Sequence, residues 1–103
     1  MQVAIVSTNG INVDEHFGRA ERFLIYKISG DNQTLLAVKV SGQLSEGDRS
    51  HEFNGDKFSE IADILSGCER VYCTRIGEQP AEELKKIGIE PVIDEGPIEK
   101  ITV

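Results

Sequence analysis

One segment of the chain combines side chains that can hold a metal or an anion. His16, Gly18 and Arg19 lie within four consecutive residues, shortly after an apolar run at the N-terminus. A neutral imidazole can ligate a soft or borderline metal, and a guanidinium offers a planar fork to an anion. Glycine lets the backbone approach a ligand closely. These residue types predict a binding site, with the alternative that His16 and Arg19 are surface groups paired with nearby acids.

A second candidate lies at residues 73–77, between a predicted strand and a predicted helix. Ligands of open α/β sheets gather at the carboxyl ends of strands, and the N–H groups at a helix start favour anions. If this strand and the N-terminal strand are neighbours, the turn faces the His16 segment. Cys73 is then a candidate thiolate ligand and Arg75 a second cation. The alternative for Cys73 is a small buried apolar side chain.

The two cysteines, Cys68 and Cys73, predict no disulfide framework. Along one strand, five residues at about 3.3 Å each would separate them by roughly 16 Å. The Cα atoms of a disulfide lie within about 7 Å of each other. Their odd spacing also predicts that they face opposite sides of the sheet. We therefore expect two reduced thiols, at least one of them in the core.

Other catalytic and binding constellations are missing from the sequence. There is no glycine-rich dinucleotide fingerprint, no phosphate-binding P-loop, no C-x-x-C and no H-E-x-x-H. A hydrolase using Cys73 with His16 is a third hypothesis, but no orienting group is identifiable. The N-terminal strand carries no acid, which argues against two-metal nuclease chemistry. His51 lies in a polar stretch beside Glu52, where we expect a solvated side chain.

Hydrophobic patterns predict the elements that position these residues. An amphipathic helix is predicted around Phe58 to Leu65, capped by Asn54 or Asp56, and a second helix from Pro80 to Ile87. Residues 11–22 are expected to form a long structured loop, and Pro91 places the last strand at a sheet edge. The strands are predicted at residues 3–6, 23–28, 34–40, 71–74 and 89–93. The order β-β-β-α-β-α-β predicts an α/β fold with a five-stranded mixed sheet flanked by helices.

Composition and charge exclude several classes of protein. The chain has 103 residues, with 18 acids against 11 Lys and Arg and a formal net charge of -7. That length predicts one domain over residues 1–103. The acidic balance argues against a protein that neutralises nucleic-acid phosphates. No apolar run approaches the roughly 20 residues of a membrane span, and no secretory signal is recognisable, so we expect a cytoplasmic protein.

The string V-D-E-H-F-G-R-A-E-R-F-L-I-Y at residues 13–26 resembles the signature of the dinitrogenase iron-molybdenum cofactor-binding family. That family includes the NifX, NifY and NafY carriers and the C-terminal domain of NifB. Residues 67–77, and the G-I-E-P-V string at 88–92, are also similar to it. The resemblance covers nearly the whole chain. It implies a ribonuclease-H-like α/β fold without nuclease activity.

The resemblance also implies a function. It implies a non-catalytic carrier of the iron-molybdenum cofactor, or of an iron-sulfur precursor cluster, in nitrogenase cofactor assembly. The histidine of the H-F-G segment, His16, is the favoured cluster contact, with Arg19 and Arg75 offsetting the charge of the cluster and the Gly77 backbone assisting. The partners implied are the cluster and nitrogenase or cofactor-assembly proteins, with no nucleic acid or membrane. The alternative is a metal-free protein–protein adaptor in the same assembly process. The predicted cofactor-binding residues are Asn9, His16, Phe17, Gly18, Arg19, Arg75 and Gly77, and the predicted metal ligands are His16 and Cys73.

Overall fold

A five-stranded mixed sheet forms the centre of the computed structural model, which describes residues 1–41 and 55–103. In chain order, the elements are β1 (Gln2–Val6), β2 (Asn12–Val13), β3 (Arg22–Ser29), β4 (Asn32–Val40), α1 (Gly55–Ile64), β5 (Arg70–Cys73), α2 (Glu78–Lys86), β6 (Glu90–Ile93) and β7 (Gly96–Pro97). The sheet has the strand order β4-β3-β1-β5-β6, and β2 pairs with β7 in a separate two-stranded sheet. All five predicted strands and both predicted helices are present.

Strand direction follows from the connections between the strands. β1, β3 and β4 are joined by loops, and β3 runs antiparallel to both of its neighbours, β1 and β4. β5 and β6 follow helices and run parallel to β1. Because β1 and β5 are adjacent and parallel, their carboxyl ends lie at the same edge of the sheet. β6 is an outer strand, as Pro91 predicted. Residues 11–22, expected to be a loop, also contain β2 and a 3-10 turn at Phe17–Arg19.

The core lies on both faces of the sheet, because β1 is apolar on both sides. Ala4 and Val6 face the helices, where they join Ile61 and Leu84, and all four are at most 1% exposed. Val3 and Ile5 face the other way, into a cluster closed by the C-terminal segment, with buried residues Val13, Leu24, Ile28, Tyr72, Ile98 and Ile101. A 3-10 turn at Ile98–Lys100 shapes that segment. The continuous apolar run of β1 is therefore typical of a strand covered on both faces.

The two cysteines are free and buried, as predicted, but the prediction that they face opposite sides is wrong. Cys68 and Cys73 belong to the same helix-side core cluster. Cys68 lies two residues before the start of β5, outside the strand. It directly follows Gly67, whose φ is +89°. The alternation of strand side chains therefore does not extend back to Cys68.

Two predicted features lie outside the described residues. They are the cap residue Asn54 and the polar-loop histidine His51. α1 begins at Gly55, with Asp56 in its first turn. In the two described ranges, neither helix has the length and apolar character needed to cross a membrane.

Candidate functional site

The two segments singled out in the sequence meet at the carboxyl ends of β1 and β5. An isolated parallel bridge joins His16 to Arg75. The Phe17 N–H donates to the Arg75 carbonyl at 2.8 Å, and the Thr74 N–H donates to the Glu15 carbonyl at 3.0 Å. The expectation that the turn after β5 faces the His16 segment is therefore confirmed. We call residues 14–19 and 74–77 together the paired loops.

His16 lies at the start of the 3-10 turn, with its side chain partly exposed. Its backbone N–H donates to the Glu15 carboxylate at 2.8 Å, and its carbonyl accepts from the Arg19 N–H at 3.1 Å. Among residues 1–41 and 55–103, no hydrogen bond or ion pair engages the imidazole. The backbone of His16 is therefore held while its ring remains open to a ligand.

A small cleft of about 140 Å³ lies beside the paired loops at the end of β1. Its lining includes two acids and two cations, Glu15, Glu21, Arg19 and Arg22. Small-molecule sites have volumes of roughly 300–1,000 Å³. The volume of this cleft therefore suits a small group, or the edge of a larger group that rests on the rim, and the formal charges of its lining balance.

The cations of the site are exposed. The Arg19 and Arg75 side chains have no ion-pair or hydrogen-bond partner in the described part of the chain. Gly77 is the exposed N-cap of α2, and no side chain caps that helix start. Two guanidiniums and an uncapped helix start favour an anion at the paired loops.

Asp14 proves to be a loop clamp, a role that the sequence reasoning missed. Its carboxylate accepts from the Thr8 N–H at 2.8 Å and from the Thr8 hydroxyl at 2.7 Å. The alternative that Asp14 pairs with His16 or Arg19 is therefore not what the structure shows. A threonine six residues before an aspartate is not a recognised turn motif, so nothing local in the sequence could have indicated this contact.

Asn9, one of the predicted binding residues, organises the loop that follows β1. Its side-chain oxygen accepts from the N–H groups of Ile11 at 2.8 Å and Asn12 at 2.9 Å. Gly10, with φ of +76°, donates its N–H to the hydroxyl of Ser7. Turns of this kind are a usual role of asparagine. The oxygen of Asn9 is thus engaged within the loop.

Phe17 and Cys73, also among the predicted residues, have their side chains in the core. Both are 0% exposed, and the Phe17 ring packs against Phe23 with centroids 5.9 Å apart. Burial raises the pKa of the Cys73 thiol to about 11, although N–H groups of Arg75 and Phe17 lower it by a smaller amount. The thiol is therefore protonated at neutral pH, whereas metal binding and nucleophilic attack require the thiolate.

The site as a whole offers few metal ligands. Within the described ranges, no group of three or more His, Cys, Asp or Glu side chains could hold a metal ion. The donor set is one accessible imidazole with two guanidiniums nearby. It fits an anionic guest that brings most of its own ligands, rather than a bare metal ion.

Comparisons with known proteins agree on one family. The family model described as "Dinitrogenase iron-molybdenum cofactor" matches residues 1–102. The FeMo cofactor biosynthesis protein NifB of Klebsiella pneumoniae is 35% identical over 94 residues, which are 89% of this chain and 20% of that protein. Protein NifX of Azotobacter vinelandii is 34% identical over 97 residues, which are 93% of this chain and 58% of that protein. The chain thus spans only part of either relative.

A solved structure supports the fold. The crystal structure of PH0822 superposes with a TM-score of 0.66 and covers 98% of this chain and 84% of that chain. The two sequences are 24% identical. The similarity therefore concerns the fold alone.

Proposed function

This chain belongs to the dinitrogenase iron-molybdenum cofactor family, and we propose on that premise that it is a non-catalytic carrier of a metal-sulfur cluster. The cargo is the iron-molybdenum cofactor or an iron-sulfur precursor of it, and the setting is nitrogenase cofactor assembly in the cytoplasm. The NifB relative is named for FeMo cofactor biosynthesis. The proposal treats residues 1–103 as one domain with a ribonuclease-H-like sheet.

The observation that carries the proposal is the bridge between His16 and Arg75. It brings the open imidazole of His16 and the Arg75 side chain to one edge of the sheet. The exposed Arg19 follows His16 by three residues in the sequence. Imidazole is a ligand for iron, and the guanidiniums offset the negative charge of a sulfide-rich cluster. One protein ligand suits a cargo that must later be released.

Charge at long range does not prevent this binding. The formal net charge of -7 repels an anionic cluster, but at physiological salt that repulsion is screened beyond about 8 Å. Short-range contacts with Arg19 and Arg75 then determine whether the cluster binds. In this proposal Cys73 has a packing role, because it is buried and protonated, and His16 is the metal contact.

Anaerobic titration with isolated cluster tests the proposal. We expect the wild-type chain to take up cluster and His16→Ala to bind it at least about tenfold more weakly, a loss of 1.4 kcal/mol or more. Arg75→Ala should also weaken binding. Arg70→Ala is the matched control, because Arg70 lies at the opposite end of β5 and pairs with Glu90.

Two results would contradict the proposal. Unchanged affinity in His16→Ala would remove His16 from the site. A wild-type chain that remains colourless under strict anoxia, with cluster offered in excess, would favour the metal-free adaptor instead.

A further inference from the structure

Among residues 1–41 and 55–103, no segment pairs with the outer edge of strand β4, and its exposed surface is mainly apolar. It is nine residues long and lies at one edge of the sheet. Leu35, Leu36 and Val38 are 49%, 50% and 49% exposed, and Val40 is 79% exposed. Long apolar edge strands are templates for pairing with another chain, and proteins usually protect them with charges, proline or short length.

The other edge of the sheet is protected in these ways. β6 has four residues and includes Pro91, which has no N–H to donate to an added strand. Glu90 adds a charge at its first position. In the described part of the chain, β4 is therefore the edge whose main-chain N–H and C=O groups are better placed to pair with an added strand.

The register with β3 gives the two faces of β4 different chemistry. Val38 pairs with Leu24 and Leu35 with Tyr26, both on the face away from the helices. Lys39 pairs with Phe23, which belongs to the helix-side cluster. One face of the edge is thus aliphatic, and the other carries a cation.

Charge distinguishes between two occupants of this edge. The β3–β4 hairpin contains three cations, Arg22, Lys27 and Lys39, and one acid, Asp31, so its net charge is +2 in a chain of net charge -7. A second copy of the chain would bring an identical basic hairpin against this one. An acidic segment would instead meet complementary charge, which favours association.

We infer that β4 is a docking site for an extended, acidic segment of a partner protein, which adds to the sheet as a further strand. Acidic and apolar residues alternate in that segment, because successive side chains of a strand face opposite sides. Its apolar side chains meet Leu35, Val38 and Val40, and its carboxylates meet Lys39, while Lys27 on the next strand adds positive charge to the same face. Main-chain hydrogen bonds to β4 supply the rest of the affinity, as in other cases of strand addition.

The test uses the full chain and two synthetic probes in metal-free buffer, so its outcome is independent of cluster binding. One probe is an acetylated, amidated eight-residue peptide in which glutamate and valine alternate. The other replaces each glutamate with lysine. We expect the glutamate peptide to bind, to shift the amide NMR signals of residues 32–40, and to bind at least about tenfold more tightly than the lysine peptide.

Charge reversal provides the second readout. Lys27 and Lys39 are exposed, so Lys27→Glu combined with Lys39→Glu should leave the fold intact and reverse the preference between the two peptides. Lys85→Glu combined with Lys100→Glu, at exposed positions outside the hairpin, is the matched control and should leave the preference unchanged.

Three outcomes would overturn the inference. They are equal binding of the two peptides, NMR shifts confined to other elements, and a dimer by light scattering whose β4 amides are protected from exchange. The last would identify the occupant as a second copy of this chain. Absence of binding by either peptide at millimolar concentration would count as the first outcome.

Discussion

Raising the pH should destabilise this protein through Cys73. The Cys73 side chain has no exposed surface, and burial raises its pKa from 9.0 to about 11. Unfolding exposes the thiol and restores its ordinary pKa. A group whose folded pKa is raised contributes stability that is complete below the unfolded pKa and is lost as the pH rises through the folded pKa.

The difference between the folded and unfolded pKa values determines how much the free energy of unfolding falls. A difference of two pKa units corresponds to about 2.7 kcal/mol when the thiol is ionised in both states. At pH 11 the folded thiol is only half ionised, so the expected loss in the free energy of unfolding is about 2 kcal/mol relative to pH 8.

Urea unfolding of the wild type and of Cys73→Ala, at pH 8 and pH 11, isolates this contribution. All other ionisable groups are the same in both proteins, so their contributions cancel in the comparison. At pH 8 we expect the variant to be the less stable protein, because it loses a buried sulfur. Between pH 8 and pH 11 the wild type should lose about 2 kcal/mol more than the variant.

A stability gap that does not change with pH would refute this reasoning. It would mean that the Cys73 thiol is solvated in the folded protein, and it would make Cys73 available as a ligand again. Rapid reaction of the native wild type with a thiol reagent, at the rate of the unfolded chain, would lead to the same conclusion.

Three further predictions concern the loops around the site. Asp14→Ala should lower the free energy of unfolding by about 1–2 kcal/mol, and a double-mutant cycle with Thr8→Val should show coupling near 1 kcal/mol; additive effects would contradict the clamp. Phe17→Ala should cost about 3–5 kcal/mol by denaturant unfolding, because the ring is buried against Phe23; a loss below 1 kcal/mol would show that the ring is not part of the core. Gly10→Ala should cost about 1 kcal/mol through backbone strain alone, since open space surrounds its Cβ position; an unchanged melting temperature would contradict that.

The hydrophobic patterns of short sequence segments were sufficient to predict the strands of the five-stranded sheet. The run Val3–Val6 is short, rich in β-branched residues and followed by turn-forming residues, which favours a strand. The position of Pro91 restricts the last strand to an edge. The pairing of β2 with β7 could not be predicted in this way. Each has only two residues, and they come together from positions more than 80 residues apart because the C-terminal segment covers one face of the sheet.

The position of the candidate site in the fold could be predicted from the sequence. Which of its side chains are exposed could not. Position at the carboxyl ends of parallel strands was enough to bring His16 and Arg75 together. The alternative that Cys73 is a small buried side chain is confirmed, but the sequence could not show that Phe17 points inward. An aromatic residue beside a glycine can face either way, and its direction here depends on Phe23, which belongs to a different element.

The two proposals concern neighbouring parts of one surface. Arg22 lines the cleft beside the paired loops and also lies opposite Val40 at the end of β4. A strand added along β4 would therefore end close to the cleft. Through Arg22, charge brought by a docked acidic segment would act on an anion bound at the neighbouring paired loops. Because such coupling is reciprocal, a bound anionic cluster would weaken docking by the same factor by which docking weakens cluster binding.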